Sequence, residues 1–161
     1  MVTRDKIAIA GDYFNKAYQL HTDGKIDEAI KNYKLSIEIF PTAKAHTFLG
    51  WAYSLRGRFE EAISECEVAI GLDPDFGNPY NDIGSYLISL NKYDEAIGWL
   101  EKALQIEGYE MKHYAYYNLG RIYEKKGDWE TAMRYYEDSF SLKRDFDLAK
   151  NALIRITAMM N

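Results

Sequence analysis

Apolar residues recur three and four positions apart along nearly the whole chain. Tyr80, Ile83, Gly84 and Leu87 form one such row and Leu119, Gly120 and Tyr123 another, the spacing that gathers side chains on one face of an α-helix. The strict alternation of a half-buried strand does not occur. Between successive rows stand Gly24, Gly57 and Gly127, with Asn91 in the same place of the third pair. Glycine, and less readily asparagine, adopts the left-handed conformation that ends a helix. The pattern predicts short helices in pairs, each pair closed by a tight turn.

The pairs are copies of one another. "DGKIDEAIKNY", "RGRFEEAISEC", "LNKYDEAIGWL" and "KGDWETAMRYY" align without gaps and place Ala29, Ala62, Ala96 and Ala132 in register, at spacings of 33, 34 and 36 residues. Upstream of each lies a second matching block: "YFNKAYQL", "HTFLGWAY", "YNDIGSYL" and "YYNLGRIY". Inside these first helices sit Ala17, Gly50, Gly84 and Gly120, although an interior glycine costs a helix roughly 1 kcal/mol against alanine. Close approach of the paired helices accounts for the small residue, with Tyr33, Cys66, Leu100 and Tyr136 filling the space alongside. Pro41 and Pro74 break the chain before the next unit.

This arrangement of small, aromatic and proline positions resembles the tetratricopeptide repeat (TPR), a helix-turn-helix unit of about 34 residues. The resemblance covers about residues 10 to 146 and implies an all-α fold, a right-handed superhelical solenoid of antiparallel helix pairs. A single domain over residues 1–161 is expected, with repeats at about 10–42, 43–76, 77–112 and 113–146. Lys16, His46, Gly108 and Arg144 depart from the family pattern, and two extra residues within "QIEGYEMKH" lengthen the connection before the fourth copy. The tail, about 147–160, reads as a capping helix with Ala149, Ala152, Leu153, Ile156 and Met160 on its inward stripe, since the last unit of a solenoid would otherwise expose the face its neighbour covers. Residues 3 to 9 are expected to extend the first helix.

Charge narrows the class of partner. The chain carries 20 Lys and Arg against 25 Asp and Glu, a net charge of -5, which gives no general attraction to phosphate backbones or anionic lipid. No stretch approaches the roughly 20 apolar residues of a membrane span, and the first residues hold no run of signal-peptide length. A soluble, cytoplasmic protein is expected, with neither nucleic acid nor membrane as partner. Tyr114, Tyr117, Arg121 and Lys125 do mix aromatic and basic residues as RNA-binding repeat arrays do, but the overall charge opposes that use.

No residue set asks for catalysis. Asp27-Glu28, Glu60-Glu61 and Asp94-Glu95 each fall in the first turn of a second helix, where the helix dipole stabilises carboxylates. Neighbours on a helix diverge by about 100° and do not converge on one substrate. The three histidines stand in different repeats at no metal-ligand spacing. Cys66, the one cysteine, lies on an inward stripe with Ala62 and Ala69 and reads as an inert core thiol. The chain is therefore read as a non-enzyme without cofactor or metal.

In the family, first helices line a concave surface and second helices the convex back, and the resemblance implies the same here. Asn78, Asn81 and Ser85 are offset from the core row of their helix. The same register in the other repeats selects Phe14, Tyr18 and His21, then Lys44, Thr47 and Trp51, then Tyr114, Tyr117, Arg121 and Lys125. Amides suit the backbone of an extended peptide, aromatics supply contact area, and Arg121 suits a carboxylate. Asn78 has a second role open to it, capping the helix before Pro79. Tyr18, Trp51 and Tyr117 have packing against a neighbouring helix as theirs, while Tyr80, Tyr116 and Tyr123 read as core.

One subset of the family clamps chaperone C-terminal carboxylates with lysine, asparagine and arginine. The matching sites here are Phe14, Tyr18, Phe48, Asn78 and Asp82 in one frame, or Thr47, Trp51, Asp82, Tyr114 and Asn118 in the next, so no carboxylate clamp is expected. The function this implies is a protein-protein interaction module that takes a peptide or helix of a partner protein. The rival reading is a structural subunit that acts through self-association as a homo-oligomer or through assembly into a larger complex, with Ile154 and Met159 on the tail as contacts.

Overall fold

The computed structural model describes residues 2–160. Nine α-helices and no strand occur among them: α1 (Val2–Thr22), α2 (Ile26–Ile39), α3 (Ala43–Leu55), α4 (Phe59–Leu72), α5 (Asn78–Ser89), α6 (Tyr93–Gln105), α7 (Lys112–Lys125), α8 (Trp129–Leu142) and α9 (Asp147–Met160). Each of the four hairpin turns uses the left-handed residue that the pattern predicts, with φ of 77° at Gly24, 72° at Gly57, 58° at Asn91 and 79° at Gly127. The following N–H reaches back five residues to a helix carbonyl, as from Lys25 to Leu20 at 2.8 Å and from Arg58 to Tyr53 at 3.0 Å. This is the Schellman ending, which satisfies carbonyls that the helix itself leaves bare.

Inside the hairpins the helices touch through their smallest residues. A Cβ added at Gly84 would lie 2.5 Å from Leu100, one at Gly120 2.6 Å from the Tyr136 ring, and one at Gly50 2.9 Å from the Ala62 carbonyl oxygen. Tyr33, Cys66, Leu100 and Tyr136 are buried, as are Ala29, Ala62, Ala96 and Ala132 beside them. His46, where the family has an aromatic, is buried too and donates from Nδ1 to Glu65 at 2.6 Å.

Each hairpin packs on the next through a second helix against the following first helix. The first helices α1, α3, α5 and α7 also touch one another in sequence, and the second helices make no contact of that extent among the described residues. The layer whose members touch is the inside of the curve, so the first helices form the inner wall of a solenoid. Arg56 with Asp27, and Lys126 with Asp94, tie successive repeats at the exposed turns, where such pairs contribute little.

The cap α9 buries Ala149, Ala152 and Ile156, the last two against Ala132 and Tyr136. Glu124 of α7 accepts from the Tyr136 hydroxyl at 2.7 Å and from Arg155 of α9 at 2.9 Å. Met160, expected on the inward stripe, is exposed, because the helix ends a full turn past Ile156, its last buried residue. Tyr116 and Tyr123, expected in the core, are only half-buried. They flank Tyr135 with ring centroids 6.3 and 5.5 Å away.

Two glycine-to-alanine changes separate helix propensity from packing. Gly98, in the middle of α6, is exposed and has nothing within 4 Å of an added Cβ, so Gly98→Ala stabilises by about 1 kcal/mol. Gly50→Ala meets a backbone oxygen that cannot yield and destabilises by about 1–3 kcal/mol. Urea midpoints of the two variants should move in opposite directions.

Candidate functional site

Midway along the inner wall a cavity of about 320 Å³ opens to solvent. Thr47, Phe48 and Trp51 of α3 form one side, Asn78, Asn81 and Asp82 of α5 the floor, and Tyr114 of α7 the other side. Tyr109 and Met111, from the lengthened connection between α6 and α7, close one end. Tyr109 is buried, and its ring lies where any side chain on Gly77 would be, 2.4 Å from an ideal Cβ there. The insertion thus folds inward and gives the site a wall that the repeat register does not contain.

A chain of hydrogen bonds sets the floor. Arg121 Nη1 donates to Asn118 Oδ1 at 3.0 Å, and Asn118 Nδ2 donates to Asn81 Oδ1, also at 3.0 Å. Guanidinium groups only donate, so Asn118 meets Arg121 with its carbonyl, and both amide orientations follow. Asn81 is left with its NH₂ as its free end, and its side chain favours the ionised form of the neighbouring Asp82 carboxyl. Desolvation pushes the Asp82 carboxyl up to about 7, and the polar Asn81 side chain only partly opposes the rise. The residue keeps some surface at the cavity mouth while protein atoms enclose its carboxyl on the other sides. It has no ion-pair partner among the described residues.

Aromatic clusters flank this floor. On one side Phe14 and Tyr18 pack on Phe48 at 5.3 and 5.7 Å, and Trp51 lies 4.0 Å from the His21 ring. On the other, Tyr114 packs on His113 at 4.4 Å and Tyr117 on Phe146 at 5.4 Å. Tyr18, Trp51 and Tyr114 nevertheless remain 45%, 41% and 38% exposed. His21 and His113 are buried with Nε2 unpartnered, and burial lowers the pKa of both.

The cavity therefore gathers Thr47, Trp51, Asn78, Asn81 and Tyr114 from the residues selected by register. Phe14 and Lys44 belong to a separate hollow between α1 and α3, with Lys44 5.0 Å over the Phe14 ring. Tyr18, Ser85, Tyr117, Arg121 and Lys125 lie outside both hollows. Thr47 is buried, and its hydroxyl donates to the Ala43 carbonyl. Asn78 is the first residue of α5 after Gly77, α5 carries no side-chain capping bond at Gly77, and Asn78 lines the cavity. Tyr109 and Met111 carried no register signal, and Asp82 was legible as a charge but not as an enclosed one. A shallow depression of about 480 Å³ on α8, lined by Arg134, Tyr135, Glu137 and Asp138, draws all its side chains from one helix and has no facing wall.

The sequence matches the tetratricopeptide repeat over residues 14–75 and again over residues 75–145. Small glutamine-rich tetratricopeptide repeat-containing protein 2 of Saccharomyces cerevisiae is 28% identical over 131 residues, which are 81% of this chain and 33% of that protein. The chain spans between 12% and 41% of the length of the curated relatives it matches. Among solved structures, Pseudomonas aeruginosa pilF superposes with a TM-score of 0.87 at 22% identity, covering 98% of this chain and 71% of that one. MamA superposes at 0.72 with 26% identity, covering 91% and 80%.

The enclosed carboxylate has a pH signature. An acid raised from 3.8 to about 7 binds its proton in the fold while the unfolded chain has released it. Its contribution to stability is therefore lost as pH rises from about 4 to about 7 and is constant above. His21 and His113 work the other way, since their lowered values remove stability as pH falls below 6.5. Asp82→Asn should exceed the wild type by roughly 2–4 kcal/mol at pH 8 and by nothing near pH 3.5. Denaturant melts of the two proteins at matched pH check this.

Proposed function

Because the chain belongs to the tetratricopeptide-repeat family, we propose that it is a non-enzymatic module whose concave groove binds a peptide segment or helix of a partner protein. The observation that carries this is the cavity at mid-groove. Trp51 and Tyr114 stand half-exposed on either side of an amide-rich floor, and large aromatics left in solvent beside polar groups are the composition of binding surfaces. Asn78 and Asn81 offer amide groups to a peptide backbone, while Tyr18, Ser85, Tyr117, Arg121 and Lys125 extend the surface along the inner wall. Phe14 and Lys44 contribute a second, smaller hollow beside it.

The structure selects which residues to change. Asn81 and Arg121 hold adjacent repeats together, whereas Trp51 and Tyr114 are exposed aromatics whose loss leaves those bonds intact. A variant with Trp51→Ala and Tyr114→Ala should keep the wild-type helical circular dichroism, melt lower because the ring contacts with His21 and His113 are lost, and lose the partner that the wild type retains from a cell lysate. Equal retention by both proteins removes the groove reading.

One observation favours a second reading. The cap helix α9 leaves Leu148, Ile154 and Met159 exposed, apolar side chains at the end of the solenoid where a further repeat or a second copy would pack. In that reading the molar mass rises with concentration, and Ile154→Glu with Met159→Glu holds it at the monomer value in analytical ultracentrifugation. A wild-type mass that stays monomeric at high concentration removes it.

A further inference from the structure

Within the groove reading, we propose that the mid-groove cavity is a receptor for one cationic side chain, a lysine or arginine of the partner segment. Asp82 stands on the floor with no cation of this chain paired to it, and the lining contains no Lys, Arg or His. Around it are Phe48, Trp51, Tyr109 and Tyr114. Aromatic faces attract cations electrostatically, most strongly where water is excluded. A carboxylate ringed by such faces suits an ammonium or guanidinium on an aliphatic stem, with the stem against the rings and the charge at the floor.

The surroundings hold Asp82 ready as an acceptor. Asn118 occupies the Asn81 carbonyl and Arg121 occupies the Asn118 carbonyl, and among the described residues no side chain hydrogen-bonds or ion-pairs to the Asp82 carboxylate. The lone pairs of the carboxylate are thereby left open to a ligand. The chain's net charge of -5 also draws a basic segment toward it.

Proton release follows from the same geometry. Asp82 must be ionised to pair with a cation, so affinity for a basic peptide rises between pH 6 and pH 8. Of the titratable groups around the carboxyl, Cys66 on α4, Tyr86 on α5 and Tyr109 in the α6–α7 connection are raised by burial and stay neutral there. Tyr114 on α7 is the remaining ionisable side chain of the lining, and Arg121, two amides away, is the nearest fixed charge of the network.

The test is selection of a random peptide library on the immobilised full chain, followed by binding titrations of the selected peptides. Wild-type protein should enrich peptides sharing one Lys or Arg. Asp82→Asn, and replacement of that residue by Met in the peptide, should each weaken binding about tenfold, and both together no more than either alone. Glu137→Gln, the same charge change on the outer face, should leave affinity within about twofold. Circular dichroism and melting confirm that each variant folds. Peptides that depend on Trp51 but share no basic residue, or whose basic residue is indifferent to Asp82→Asn, overturn this inference and leave the groove reading standing. If no selected peptide depends on Trp51, both fall.

Discussion

The close contact where the two helices of a hairpin meet at a residue without a side chain controls the rest of the architecture. At Gly84 and Gly120 the facing Leu100 and Tyr136 occupy the very space a Cβ would take. Glycine costs the helix roughly 1 kcal/mol, while full burial of a large apolar side chain returns about 1.5–3 kcal/mol, so packing decides the residue. The same contact gives each repeat a thin, rigid wedge. Stacked wedges touch along the first helices and splay along the second, and the inner wall follows from that geometry.

The groove floor is also the seam between repeats. Asn81 and Asn118 sit one repeat apart, and their bond, continued to Arg121, spans α5 and α7. Neutral hydrogen bonds of this kind contribute about 1 kcal/mol net, and those to charged groups about 1.5–3. A ligand that engages the Asn81 amide therefore acts on the bonds that hold the third and fourth repeats in register. In the proposed groove reading, binding and the stiffness of the solenoid would be linked at that point.

Much of this was legible in the sequence because repetition supplies its own controls. Turn residues, small-residue positions and the inward place of Cys66 each follow from a register seen four times, and the cap from the need to cover the last repeat. Register tells which way a side chain points, not what it meets. Asn81 was placed on the inner face by its offset from Tyr80 and Ile83, but its partner lies 37 residues away and no periodicity names it. Tyr109 lay in an insertion outside the register and so had no expected position. The groove residues were selected evenly along the inner wall, whereas the cavity gathers only the middle ones, because its end wall comes from that insertion. The charge of Asp82 is visible in the letters, but its enclosure depends on the joint placement of α3, α5, α7 and the connecting loop.

The other enclosed carboxylates show how this chain normally treats buried charge. Glu65 takes a bond from His46, and Glu124 takes bonds from Tyr136 and Arg155, which hold its carboxyl below the ordinary range. Asp82 has the opposite shift, since its neighbours are aromatic rings, a thiol and one amide. An asparagine would fit the same space without the desolvation of a charge, so local stability does not account for the acid. Local rules are broken most often where a site serves a ligand, and here the break coincides with exposed aromatics and an inward-folded loop. Three departures from plain repeat packing at one place are better explained by a shared use than by three separate accidents of folding.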